Sequence, residues 1–174
     1  MSATTIRQEI KDELLTIPGL GGVQTLRNVH KFAYISDDVA EARAFWEATD
    51  AAGKKVVNGV MITRIAREDR EPLDGKEFAA LHSFRLHFQY GRLAQETNES
   101  IAEEVFEGFL EAILDKLRGN AAIFQTEGVG GQTLHPQPFA DQVGRATISS
   151  VKLFGTRVWR AEVDFQVVEH FFIP

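Results

Sequence analysis

An α+β domain is the fold this sequence predicts: an antiparallel β-sheet flanked by an N-terminal helix and one long central helix, all within residues 1–174. Three observations lead there. The segment Val158–Phe171 alternates without a break, with Trp159, Ala161, Val163, Phe165 and Val167 on one side and Arg160, Glu162, Asp164 and Gln166 on the other. A period of two marks a strand with one buried and one wet face. The segment Asn98–Arg118 repeats apolar residues at helical spacing (Ile101, Val105, Phe109, Leu117, widened by Phe106, Leu110 and Leu114). Helical and strand patterns then follow one another as helix, strands, helix, strands, the order of a sheet covered on one face by helices.

Taken in order, Thr4–Ile17 reads as a helix, with Ile6, Ile10, Leu14 and Ile17 on one stripe; Pro18-Gly19 stops it. Val23–Tyr34 reads as a strand. Asp37–Ala52 reads as a short helix capped by Ser36 or Asp37, with Val39, Phe45 and Trp46 as its apolar side. Val56–Ile62 reads as a hairpin turning at Asn58-Gly59, since Asn-Gly supplies the positive φ angles of a tight turn. The stretch at about 54–80 is a charged insertion or arm, with Arg67–Lys76 as an exposed loop. Ala80–Tyr90 is a strand whose Phe84, Leu86, Phe88 and Tyr90 share a face. After the long helix, residues 126–144 are rich in Gly, Gln and Pro and read as a long flexible loop. Thr147–Phe154 and the terminal strand then form a hairpin around Gly155-Thr156.

Composition narrows the function classes. Hydrophobic residues make up 44%, enough for a packed core. Thirteen phenylalanines against two tyrosines favour an aromatic core over a hydrogen-bonding recognition surface. A net charge of −6 argues against tight binding of DNA phosphates, though not against a surface that DNA merely passes. The absence of cysteine excludes disulfides, thiolate zinc sites and cysteine nucleophiles. No apolar run approaches the roughly 18 residues of a membrane span, and the polar N-terminus has no signal-peptide core. A soluble protein of the cytoplasm is the default expectation.

No catalytic pattern stands out. His82 and His87 are five apart and point to opposite faces of a strand, so they cannot share a metal. Gly128-Val129-Gly130-Gly131 lacks the following helix a phosphate loop needs. Glu103, Glu107 and Glu111 recur every four residues, the pattern of a solvated helix flank. Arg64, Arg67 and Arg70 are interleaved with Glu68, Asp69 and Glu71, which suits a mixed-charge arm better than a nucleic-acid patch. Assembly is therefore favoured over chemistry, and the expectation is no enzyme, no cofactor and no metal.

The order of these elements resembles the small tail terminator (tail completion) proteins of long-tailed bacteriophages. The resemblance is carried by several segments: Ile17-Pro18-Gly19-Leu20 after the first helix, the Phe/Leu/His strand, and Ile101-Ala102-Glu103-Glu104-Val105-Phe106-Glu107 in the long helix. A glycine-rich loop, Phe154-Gly155, and the closing Val163-Asp164-Phe165-Gln166-Val167-Val168-Glu169 complete it. It spans most of the chain apart from Asp37–Lys76. The resemblance implies a ring, typically of six subunits, at the head-proximal end of the tail tube in the virion. It implies a tail tube protein and a head–tail connector as partners, DNA passing through the lumen, and neither catalysis nor cofactor. The interface residues expected are Arg64, Arg67 and Arg70 of the arm, Gln132, His135 and Gln137 of the loop, and Phe171 and Phe172 at the end. Another neck or connector protein is the nearest alternative. A small α+β enzyme or ligand-binding domain is the alternative of another class, and a buried polar pair such as His82 with Glu169 would favour it.

Overall fold

Among the described residues, the alternating and helical patterns resolve into one mixed sheet and three helices. The computed structural model describes residues 3–18, 28–32, 37–50, 53–70, 77–93, 99–119, 133–137 and 146–172. In chain order the elements are α1 (Ala3–Leu15), β1 (Asn28–His30), α2 (Val39–Trp46), β2 (Glu47–Thr49), β3 (Lys55–Arg70), β4 (Glu77–Arg92), α3 (Glu99–Gly119), β5 (Thr133–Gln137), β6 (Ala146–Leu153) and β7 (Thr156–Phe172). The chain is α+β.

Three long antiparallel strands, β3, β4 and β7, form the middle of the seven-stranded sheet. They run 16, 16 and 17 residues, roughly three times the usual strand length. Short strands line their outer edges: β1 and β2 along β3, and β6 and then β5 along β7. The sheet is not wholly antiparallel, because β1 runs parallel to β3. A parallel neighbour needs a crossover, and α2 lies between the two strands in the chain.

One face of the sheet carries the core. The α1 stripe Ile6, Ile10, Leu14 and Ile17 is buried, as are Phe106, Phe109, Leu110, Ile113 and Leu114 of α3. They meet Val60, Ile62, Phe84, Leu86, Phe88, Val163, Phe165 and Val167 of the sheet. Phe88 stacks on Phe106 with ring centroids 5.2 Å apart and planes 4° from parallel. Each such side chain contributes about 1.5–3 kcal/mol by leaving water, so this face holds most of the stability. A smaller cluster of Trp46, Val57 and Val158, joined by Phe45, Met61 and Val151, lies on the opposite face under α2.

Five local expectations are corrected. Asn58-Gly59 is no turn: both residues lie inside β3, with Asn58 opposite Tyr90 and Gly59 opposite Gln89. Glycine is needed there for a different reason. A Cβ on Gly59 would sit 2.9 Å from the Asn28 carbonyl oxygen and 3.2 Å from Trp46, so its absence lets β1 and α2 close onto β3. The exposed loop foreseen at Arg67–Lys76 begins as strand: Arg67–Arg70 pair with Ala79–His82, and residues 71–76 lie outside the described ones. Within the loop foreseen at 126–144, Thr133–Gln137 forms β5 along Gln166–His170 of β7, and the rest lies outside the described residues. Pro136 is tolerated because β5 is an edge strand. Finally, the second helix is capped by Asp38, whose Oδ1 accepts from the Ala40 and Glu41 amides at 2.6 and 3.1 Å. It stops at Trp46 because Glu47–Thr49 pair with β3 instead, and Val39 is exposed. Of the long strand foreseen at Val23–Tyr34, only Asn28–His30 is strand among the described residues.

The β6–β7 hairpin turns at Phe154-Gly155, where both φ angles are positive (51° and 84°). This is the pattern of a two-residue type I′ turn. Phenylalanine is strained at positive φ. The Arg43 guanidinium lies 5.1 Å from the Phe154 ring centroid and helps hold it.

Candidate assembly interface

The face of β3, β4 and β7 turned away from α1 and α3 carries a lattice of charges. Arg85 and Asp164 are directly opposed across β4 and β7. Arg85 Nε and Nη2 donate to the two Asp164 oxygens at 2.6 and 2.8 Å, a bidentate pair. Glu162, one pair along, lies 3.4 Å from Arg85 Nη1 and also accepts from Arg160 Nη2. His87 sits among them. Its Nδ1 accepts from Arg160 Nη2 at 3.2 Å, and its Nε2 lies 3.2 Å from the Thr63 hydroxyl, which itself donates to the Arg85 carbonyl. Only the neutral tautomer with the proton on Nε2 satisfies all of these contacts. Burial works the same way, pushing His87 below its ordinary pKa against the pull of Glu162. The hydrogen bonds from Arg85 hold the Asp164 carboxyl below its ordinary value and raise Arg85 in turn.

Two arginines thus face two carboxylates, and the lattice neutralises itself. Cross-strand pairs of this kind contribute about 0.2–1 kcal/mol each. Their stronger effect is to fix register, since a one-residue slip would set Arg85 against a core residue.

Further along the same strands the sheet changes character. The β3–β4 register shifts between Arg64 and Ala66, a bulge at Ile65, which is 54% exposed. The extra residue reverses the alternation. Arg64 lies opposite Phe84, and after the bulge Arg67 lies opposite His82. Both arginines therefore belong to the helix side of the sheet; without the bulge, Arg67 would belong to the other. His82 and Glu169, on the same side, are 1% and 2% exposed, with His82 Nε2 at 2.9 Å from Glu169 Oε2. Burial, reinforced by Arg64 and Arg67, pushes His82 down to about 4. His82 Nδ1 is buried without a hydrogen-bond partner.

The register gathers the expected interface segments at this end. In one row Arg67 faces His82, His82 faces Val167, and Val167 faces Pro136. In another, Arg70 faces Ala79, Ala79 faces His170, and His170 faces Thr133. The arm, β5 and the end of β7 thus lie side by side, though 63 residues separate Arg70 from Thr133 in the chain. His135 and Gln137 lie opposite Val168 and Gln166, and Phe171 and Phe172 opposite Phe78 and Glu77. Gln132 lies outside the described residues. On the arm, Ile65, Arg67, Glu68 and Asp69 are exposed, and Arg67 pairs with Asp69 at 2.8 Å.

Sequence reasoning saw the polar side of the terminal strand but not the lattice. Arg85, His87 and Glu162 show their pairing only once the β4–β7 register is known. Among the described residues, no three His, Asp or Glu side chains converge as a metal site. A shallow depression of about 350 Å³ is lined by Ser150, Val151, Lys152 and Arg157, on the β6–β7 hairpin away from His82. No helix among the described residues is long and apolar enough to cross a membrane. In comparison with known proteins, the chain matches no protein-family model and no curated protein.

Proposed function

We propose that this chain is a structural virion subunit of the tail-terminator kind. It assembles as a homo-oligomeric ring, hexameric by the resemblance, on the head-proximal end of a tail tube. It ends tube polymerisation and presents a surface to the head–tail connector, and DNA passes through its lumen without specific binding. One observation carries this reading: the exposed mixed-charge arm, β5 and the end of β7 converge at one end of an unusually long-stranded sheet. A ring closes by heterologous contacts, in which one patch meets a different patch on the next copy. A mixed-charge arm supplies the complementary register such a contact needs. The self-neutralised face of Arg85, Arg160, Glu162 and Asp164 suits close packing with little net field. Light scattering after size exclusion, with electron microscopy of purified tails, tests the proposal. Discrete rings at the tube end are expected; a strict monomer at high concentration that leaves tails uncapped sinks it. Finding the subunit elsewhere in the neck would assign it instead to a connector role.

A second reading has one specific observation in its favour. The buried His82–Glu169 pair is the kind of titratable couple around which a small enzyme or ligand-binding domain is built. Its exposure of 1% and 2% leaves no path for a substrate to the imidazole among the described residues, so the assembly reading is preferred. Thermal-shift screening with metals and metabolites separates the two.

A further inference from the structure

We infer that Arg7, Arg64 and Arg67 form a binding site for a small oxyanion of the phosphate or sulfate class, where the start of α1 meets the bulged end of β3. The inference is independent of the ring reading. The bulge at Ile65 places two arginines on the helix side of the sheet in adjacent rows, Arg64 opposite Phe84 and Arg67 opposite His82. From the facing helix comes Arg7, one residue after the buried Ile6. Its Nε is buried without a hydrogen-bond partner, and its guanidinium carbon lies 5.3 Å from the Phe32 ring centroid. Arg7 and Arg64 are close enough to repel: burial, then Arg64, lowers the Arg7 pKa. Among the described residues, the Arg64 side chain has no ion pair or hydrogen bond. Among the described residues, the carboxylates nearby are Asp69, taken by Arg67, and Glu169, bonded to His82. With His82 neutral, three guanidiniums stand against two carboxylates, an excess of one positive charge in a partly buried place.

Holding like charges together without a counter-ion is costly, and the cost falls as solvent is excluded less or as an anion is supplied. Guanidiniums offer the planar donor pairs that match oxyanions. His82 stays outside the site: its Nε2–H donates to Glu169, so the neutral ring leaves Nδ1 a lone-pair acceptor that offers an oxyanion no donor. The first turn of α1 carries no acidic residue to compete for the positive end of the helix dipole.

Thermal unfolding of the whole chain in inorganic phosphate, against chloride at matched ionic strength, tests the site. Wild type should gain about 3 °C once phosphate exceeds its dissociation constant tenfold. Arg64→Gln should lose that gain and, without phosphate, unfold no lower than wild type, since it relieves repulsion. Lys152→Gln, an exposed cation elsewhere, should keep the gain. Equal responses to phosphate and chloride, or an undiminished gain in Arg64→Gln, overturn the inference. So does stabilisation that follows protein concentration instead of phosphate, which would mark the carboxylate of a second copy as the occupant.

Discussion

The two faces of β3, β4 and β7 share one backbone and one alternating pattern, yet they do different work. The helix-covered face is dry and aromatic, with Phe84, Phe88 and Phe109 fully buried. The opposite face is a lattice in which every charge of Arg85, Arg160, Glu162 and Asp164 has a counterpart within hydrogen-bonding or ion-pair reach. Stability comes mainly from the first, because burial of apolar area is favourable and non-directional. The second contributes little stability, but its bonds are directional, so it holds strand register and presents a defined surface.

Perturbing each face in turn should expose that contrast. The largest effect is expected for Phe88→Ala, which leaves a cavity beside Phe106 and Phe109. Urea denaturation should show a loss of about 3–5 kcal/mol; a loss below 1 would mean that the dry face is not the main source of stability. Next comes Gly59→Ala, at the edge where β1 closes onto β3. Its Cβ would meet the Asn28 carbonyl at 2.9 Å, a backbone contact that cannot simply swing away. A loss of about 1–3 kcal/mol is expected by the same assay.

Acid should act through the buried histidine. His82 is held near 4 in the folded protein, below its ordinary 6.5, by burial and by Arg64 and Arg67. Between those values the unfolded chain binds more protons than the folded one. Stability therefore falls as pH drops through this window, by at most about 1.4 kcal/mol per pH unit from one group. Burial lowers His30 and His87 in the same sense, so the slope specific to His82 is read as the part lost in His82→Gln. An unchanged slope in that variant would show that His82 does not titrate in this range.

The smallest effect is expected on the lattice. A double-mutant cycle of Arg85→Ala and Asp164→Ala should give a coupling of about 1 kcal/mol or less, weakened by salt. A coupling above 2 would erase the distinction between the faces. If the ring reading holds, the same variants should disturb assembly more than folding, as seen by light scattering.

How much of this was legible in the chain follows from the range of the interactions. The α1 stripe, the long helix and the alternation of β4 and β7 were readable, because each is a local period set by which residues must leave water. The Asn58-Gly59 turn was misread because the same dipeptide serves two needs: a positive φ in a hairpin, and the absence of a Cβ where another segment closes in. Only the approach of Asn28 and Trp46 tells them apart. The strand at Thr133–Gln137 was missed because its composition is that of a loop, and its order comes from the open edge of β7. Arg67, Arg70, His135, Gln137, Phe171 and Phe172, expected at an interface, lie at one end of the sheet, a convergence invisible without the register.

Amino-acid order alone determined the class of the molecule, the faces of its principal strands and helices, and the location of its apolar side chains. Those properties depend on spacing along the backbone. The tertiary structure decided the parallel β1, the bulge that turns Arg67 toward the helix side, the lattice around Arg85, and the meeting of His82 with Glu169 across 87 positions. Each of these is a contact between segments remote in the chain, whose energy depends on distances that no local pattern encodes.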